Sequence, residues 1–279
     1  MTSISMTEEA AVATLKTDGM LAPVVAEFVP TFRARFSAWF DYATRLNQLG
    51  MRAMNDNVVQ LNGRDIRDPI SLSLRLMARA AHAFGASILL AERGLTIESN
   101  SISRSIYETG FWLGYLARSP LDAARDFMTE EMQSQLGRDR AAREAMAHEP
   151  RAIAELDNQI AHTLEAKAGR PAAPAISAIA ALGGCRDHYA FYKVLCGVSA
   201  HPTLSSTQGY LSAQEEAGFY GFAFGPDEMG IGKAVAYACH AHWLCIVGHT
   251  DLLGFLGAPG ERDAYQAELG MLMNNPDII

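Results

Sequence analysis

Residues that can move protons and hold charge recur at helical spacing in the segment SISRSIYETGFWLGYLARSP, where Arg104, Glu108 and Tyr115 stand four and seven positions apart. Those offsets return to nearly one direction around an α-helix, so the three share a face, with Ser101 beside it. Ile106, Phe111, Trp112, Leu113 and Leu116 make the rest of the helix apolar, which predicts that the charged stripe is partly buried. A buried Arg and Glu then require each other, because removing one partner of a buried pair costs about 3–5 kcal/mol. A second segment, HYAFYKVLCGVSAHPT, puts His188, Tyr192 and Ser199 on one helical face and ends at His201 before Pro202. The two polar faces are expected to pack together, with the Arg104–Glu108 pair orienting His201 directly or through a water.

Three kinds of chemistry fit these residue types. As a binding site, Arg104, Glu108, Tyr115, His188, Tyr192, Ser199 and His201 would hold a small polar or anionic molecule, with no cofactor implied. As an enzyme, the catalytic set would be His201, Glu108 and Arg104, His201 acting as acid or base while Arg104 holds an anionic group, for example in phosphodiester hydrolysis. As a structural or oligomerising module, Arg104–Glu108 would be an ion pair that fixes helix register and His201 a helix C-cap on the macrodipole.

The run R-S-x-x-E at 104–108 with the apolar stretch to Leu116, Y-x-x-L at 192–195 and H-P-T at 201–203 resembles a bacterial all-helical family known as domain of unknown function 5677. The resemblance spans about residues 70–256. In that family's pattern the tyrosine is followed one turn later by a serine, a place taken here by Cys196. The family carries no assigned activity, so the resemblance singles out residues and implies no reaction.

Other candidates carry less. His240, His242, His249 and Asp251 crowd one segment, but His240 and His242 point to nearly opposite sides of a helix, and His242 and His249 are two turns, about 10 Å, apart. No ExxH pair is present either, so no metal is expected. The metal-independent nucleases of the HEPN superfamily carry Arg, four to six residues, then His on one helix. Arg143–His148 and Arg75–His82 satisfy that spacing, but a pattern this loose recurs by chance, and a nuclease stays an analogy. No Gly-rich phosphate loop follows a strand: Gly230-Ile231-Gly232 lacks the third glycine and the Lys-Ser/Thr step.

The elements that would position these residues read as an all-α chain, an irregular helical bundle of about eight helices. Residues 1–20 are polar and read as a flexible lead-in, and 21–279 as a single helical domain. Phe28, Phe32, Phe36, Phe40 and Leu46 recur at helical period from 21 to about Gly50, with Pro30 as a kink. Asp68-Pro69 caps a helix to about 93, 96–118 forms the next, and Ser119-Pro120 divides it from a charged helical arm at about 120–168, interrupted at Pro150. A short helix near 173–182, another at 185–200 and a long apolar one from Asp227 to about Gly257 follow, with a final short helix after Pro259-Gly260. GFYGFAFG alternates aromatics with small residues and predicts a small β ribbon near 218–225.

Apolar residues make up 49 % of the 279 and charged residues 19 %, which predicts a large core rather than disorder. The net charge of −8 argues against a broad nucleic-acid footprint. Cys185, Cys196, Cys239 and Cys245 form no CxxC pair and read as reduced core residues of a cytoplasmic protein. The N-terminus MTSISMTEEA has no secretory pattern, and no membrane association is expected. Apolar helices leave homo-oligomerisation as a further expectation.

Overall fold

The computed structural model describes residues 8–57, 61–200, 204–208, 210–214, 219–222, 225–255 and 257–275. Its helices are α1 (Glu8–Asp18), α2 (Val25–Arg35), α3 (Ser37–Asn57), α4 (Pro69–Ala91), α5 (Thr96–Arg118), α6 (Pro120–Ala145), α7 (Pro150–Lys167), α8 (Ile176–Leu182), α9 (Tyr189–Leu195), α10 (Leu204–Gln208), α11 (Ile231–Leu253) and α12 (Glu261–Met273). The fold is all-α.

Proline sets three of the helix starts. Pro69, Pro120 and Pro150 open α4, α6 and α7, where a missing N–H costs nothing and the fixed φ already suits a helix. At α4 the cap is complete, because Asp68 Oδ1 accepts from the Ile70 amide at 2.8 Å.

The core is built on α4, α5 and α11, with α3 against them. Glycines allow a close approach within it. A Cβ on Gly248 of α11 would stand 2.7 Å from the Gly114 amide nitrogen of α5, and one on Gly114 would stand 2.8 Å from the Gly183 carbonyl at the end of α8. Helix α5 is therefore clasped from two sides at Gly114, at a separation no side chain allows. By length and apolarity α4 could cross a membrane, but here that apolar surface is spent on the core, where Leu72, Met77 and Phe84 are buried.

The expected count of about eight helices is too low. The helix expected over 21–50 is divided at Phe36, which leaves helical dihedrals (φ −106°, ψ 33°) so that α2 and α3 can both turn aromatics inward. Gly50 does not stop α3. It lies inside the helix because the His242 imidazole packs against it, 2.8 Å from where a Cβ would be. The helix expected over 185–200 becomes α9 and a π-helical turn, Cys196–Ala200. Residues 8–18, within the expected lead-in, form α1, whose Ala11 and Leu15 pack with Ala22, Val24 and Val25. A ribbon confined to 218–225 is not what forms: the strand Phe219–Phe222 pairs antiparallel with Leu211–Gln214, a short hairpin in an otherwise helical chain.

The expected arm is a helical hairpin of α6 and α7. Its first half is anchored to the core through buried Ala123, Ala124, Asp126 and Thr129. Its tip is exposed, held by the Arg143–Asp157 ion pair.

Candidate functional site

Arg104, Glu108 and Tyr192 meet. On α5, Arg104 Nη1 donates to Glu108 Oε1 at 2.5 Å and to Tyr192 Oη at 3.0 Å, and the Tyr192 hydroxyl donates to the same Glu108 oxygen at 2.9 Å. The guanidinium carbon also lies 5.5 Å from the centre of the Tyr192 ring, within cation–π range. The three groups close a ring of charge-assisted bonds across the α5–α9 contact. Burial, with hydrogen bonds to Cys196 and Glu108, raises the Tyr192 pKa, so the phenol keeps the proton it donates. Both donors fall on Oε1, and among the described residues none reaches Oε2. The cluster is half-open, with side-chain exposures of 28 % for Arg104 and 32 % for Glu108.

Glu108 also lines a cavity of about 350 Å³. Its other walls are Trp112 one turn further along α5, Glu130 of α6, and the segment from Ala173 to Ile179 that leads into α8. Neither Glu130 nor Trp112 is legible as a site residue in the sequence. Trp112 reads as core, and Glu130 as one charge among many on the arm. The available signal is Ser119-Pro120, a joint tight enough to bring α6 back along α5.

The remaining expected residues go elsewhere. Tyr115 stands two turns beyond Glu108 and donates to Asp126 Oδ2 of α6 at 3.0 Å, with its own pKa raised by burial and that carboxylate to about 12. His188 precedes α9 rather than lying on its face. Its ring packs 4.9 Å from His240 of α11, whose Nδ1 shares a hydrogen bond of 2.6 Å with the Tyr107 hydroxyl. Burial lowers the pKa of His188, and takes that of His240 down to about 3 with help from the neighbouring His188. The Ser199 side chain and His201 lie outside the described residues, and so does the expected orientation of His201 by the Arg104–Glu108 pair.

The histidines of α11 are core. His249 Nδ1 accepts from Ser73 at 2.9 Å while Nε2 faces the Ala53 carbonyl at 3.4 Å, which fixes the Nε2–H tautomer. His242 stacks on Phe84 at 4.4 Å, and among the described residues neither of its nitrogens has a hydrogen-bond partner. Among the described residues no three His, Cys, Asp or Glu converge as a metal site. The Arg-to-His spacings meet no better fate, since Arg143 is tied to Asp157 and both Arg75 and His82 are on the exposed side of α4.

A family model matches residues 71–219, over which α4 to α9 place the Arg104–Glu108–Tyr192 ring. The chain belongs to DUF5677. The family is described as one of unknown function, and its model stops short of the 70–256 expected from the motifs, leaving α11 outside. No curated protein and no solved structure matches the chain.

Proposed function

We propose that this DUF5677 member is a binding protein whose site is the cavity beside the Arg104–Glu108–Tyr192 ring, and that its ligand is a small polar molecule carrying an amine. The observation behind this reading is the cavity lining, which among the described residues holds two carboxylates, Glu108 and Glu130, and no arginine or lysine. Arg104 does not tip the balance toward an anion, because its charge is already answered by Glu108. Glu130 has no cationic partner among the described residues and Glu108 keeps Oε2 open beside its bond to Arg104, so an ammonium group here meets one unanswered carboxylate and one free acceptor oxygen. Trp112, Pro174, Ile176 and Ile179 supply apolar walls for a short carbon body.

Calorimetric titration with butylamine, putrescine and choline, against butyrate and butanol, tests this reading. The amines are expected to bind, and Glu130→Gln to weaken them by about tenfold, the equivalent of 1.4 kcal/mol. Equal binding of butyrate or butanol, or amine binding unchanged in Glu130→Gln, overturns it.

A further inference from the structure

The opposite face of α6 carries a cavity of contrary character. Residues 128 and 130 are about 200° apart around the helix, so while Glu130 turns toward α5, Met128 turns toward α7. There, Ala124, Arg125, Met128 and Met132 of α6 and His162 and Ala166 of α7 enclose about 440 Å³. Arg67, from the turn before α4, and Arg170, from just past the end of α7, complete the walls. In a chain of net charge −8, three guanidiniums from three separate segments converge on one groove.

They are not equivalent. Arg125 is already clamped, its Nη1 2.8 Å from Asp122 and its Nε 3.3 Å from Asp126, so its charge is offset locally. Arg67 and Arg170 have no carboxylate partner among the described residues. The backbone of the first and the side chain of the second are held in place. The Arg67 amide donates to Asp65 Oδ1 at 2.7 Å, within a turn pinned by the Arg64–Asp68 ion pair at 3.0 Å. Arg170 Nε donates to the Ala166 carbonyl at 3.2 Å, which leaves its two Nη groups as the free edge of the fork. The one carboxylate of the lining, Glu131, is engaged by Arg138 at 2.9 Å.

We propose that this groove is a second binding site, for a phosphate monoester with a small apolar body. Two forked guanidiniums without counter-charges match the several oxygens of a phosphate dianion, and the methionine and alanine floor takes the organic group as an adaptable apolar surface. The site is independent of the amine cavity: it shares no lining residue with it, and either can fail without the other.

Titration calorimetry with phenyl phosphate, inorganic phosphate, benzoate and phenol on the whole chain decides the matter. Phenyl phosphate is expected to bind most tightly and inorganic phosphate more weakly. Arg67→Ala and Arg170→Ala should each weaken phenyl phosphate by about tenfold or more, and the double variant should abolish binding. Both side chains are exposed, so melting temperatures without ligand should match the wild type and separate loss of a site from loss of the fold. Absence of phenyl phosphate binding to the wild type, or unchanged affinity in the double variant, overturns the proposal. Benzoate binding as tightly as phenyl phosphate overturns its phosphate specificity.

Discussion

The two faces of α5 handle polar groups in opposite ways. Toward α11 the contact is tightly packed and close enough to need glycine at Gly248. The histidines of α11 are buried there, His240 against Tyr107 of α5 and His242 and His249 against α3 and α4, with pKa values pushed down to about 3, 3 and 4, chiefly by desolvation. Toward α8, α9 and α6 the same helix carries charges that are paired and half-open. Polarity on the first face is tolerated by giving up charge, and on the second by keeping charge and leaving room for solvent or a ligand. A cluster of histidines therefore marks the core of this protein, while an Arg–Glu pair closed by a tyrosine marks its candidate site.

The largest effect should come from opening the tightly packed face. Gly248→Val puts a branched side chain where even a Cβ stands 2.7 Å from the backbone of α5, and overpacking of this kind costs about 3 kcal/mol. A fall in melting temperature of about 6–12 °C is expected for a chain of this size. Gly110→Ala, whose Cβ would meet Leu244 at 3.2 Å, should cost clearly less. Equal and small effects at both positions would mean that the α5–α11 contact is looser than this comparison requires.

Acid is the next lever. The three core imidazoles stay neutral in the native state down to about pH 3 to 4, whereas in the unfolded chain they take up protons below about pH 6.5. The unfolded state then binds more protons, so stability is fully present above about pH 6.5 and falls as the pH drops toward 4, by up to about 1.4 kcal/mol per pH unit for each histidine. Among the described residues His242 has no hydrogen bond to lose, so His242→Leu should leave stability near pH 8 little changed and flatten the acid slope by one histidine's share. Urea unfolding at pH 8, 6 and 5 measures both, and an unaltered slope would show that His242 is solvated after all.

On the open face, Tyr192→Phe removes the hydroxyl that accepts from Arg104 and donates to Glu108. The ion pair survives it, so a loss of about 1–2 kcal/mol is expected, read by urea unfolding. Arg104→Lys replaces the fork with a point charge and should give a similar loss. No change in either variant would reduce the ring to an ordinary surface pair.

What could be read beforehand follows the range of the interactions. Helix starts at Pro69, Pro120 and Pro150 are local chemistry, and so is the pairing of Arg104 with Glu108 one turn apart. Gly50 reads as a helix end because a glycine that ends a helix and one that admits a neighbour's side chain look alike until His242 is in place. Tyr192 could be brought to Glu108 by matching two polar faces, but His188 could not be placed, since α9 begins one residue after it and its ring turns to α11 instead. Glu130 and Trp112 were invisible as a site because the cavity exists only once α6 lies back along α5 and the segment before α8 closes it.

Tyr115 gives the finest test of where the open face ends. By spacing alone it continues the Arg104–Glu108 stripe, yet two turns carry it about 10 Å along the helix, beyond the cavity and against Asp126. Asp126 keeps Arg125 at 3.3 Å when the phenol is removed, so Tyr115→Phe should cost about 1 kcal/mol or less, a shift of about 2–4 °C at most. Amine affinity, measured by the same titration, should not move. A drop in amine affinity in Tyr115→Phe, at an unchanged melting temperature, would join Tyr115 to Glu108 as one polar surface and move the boundary between the two faces of α5 a full two turns toward its C-terminus.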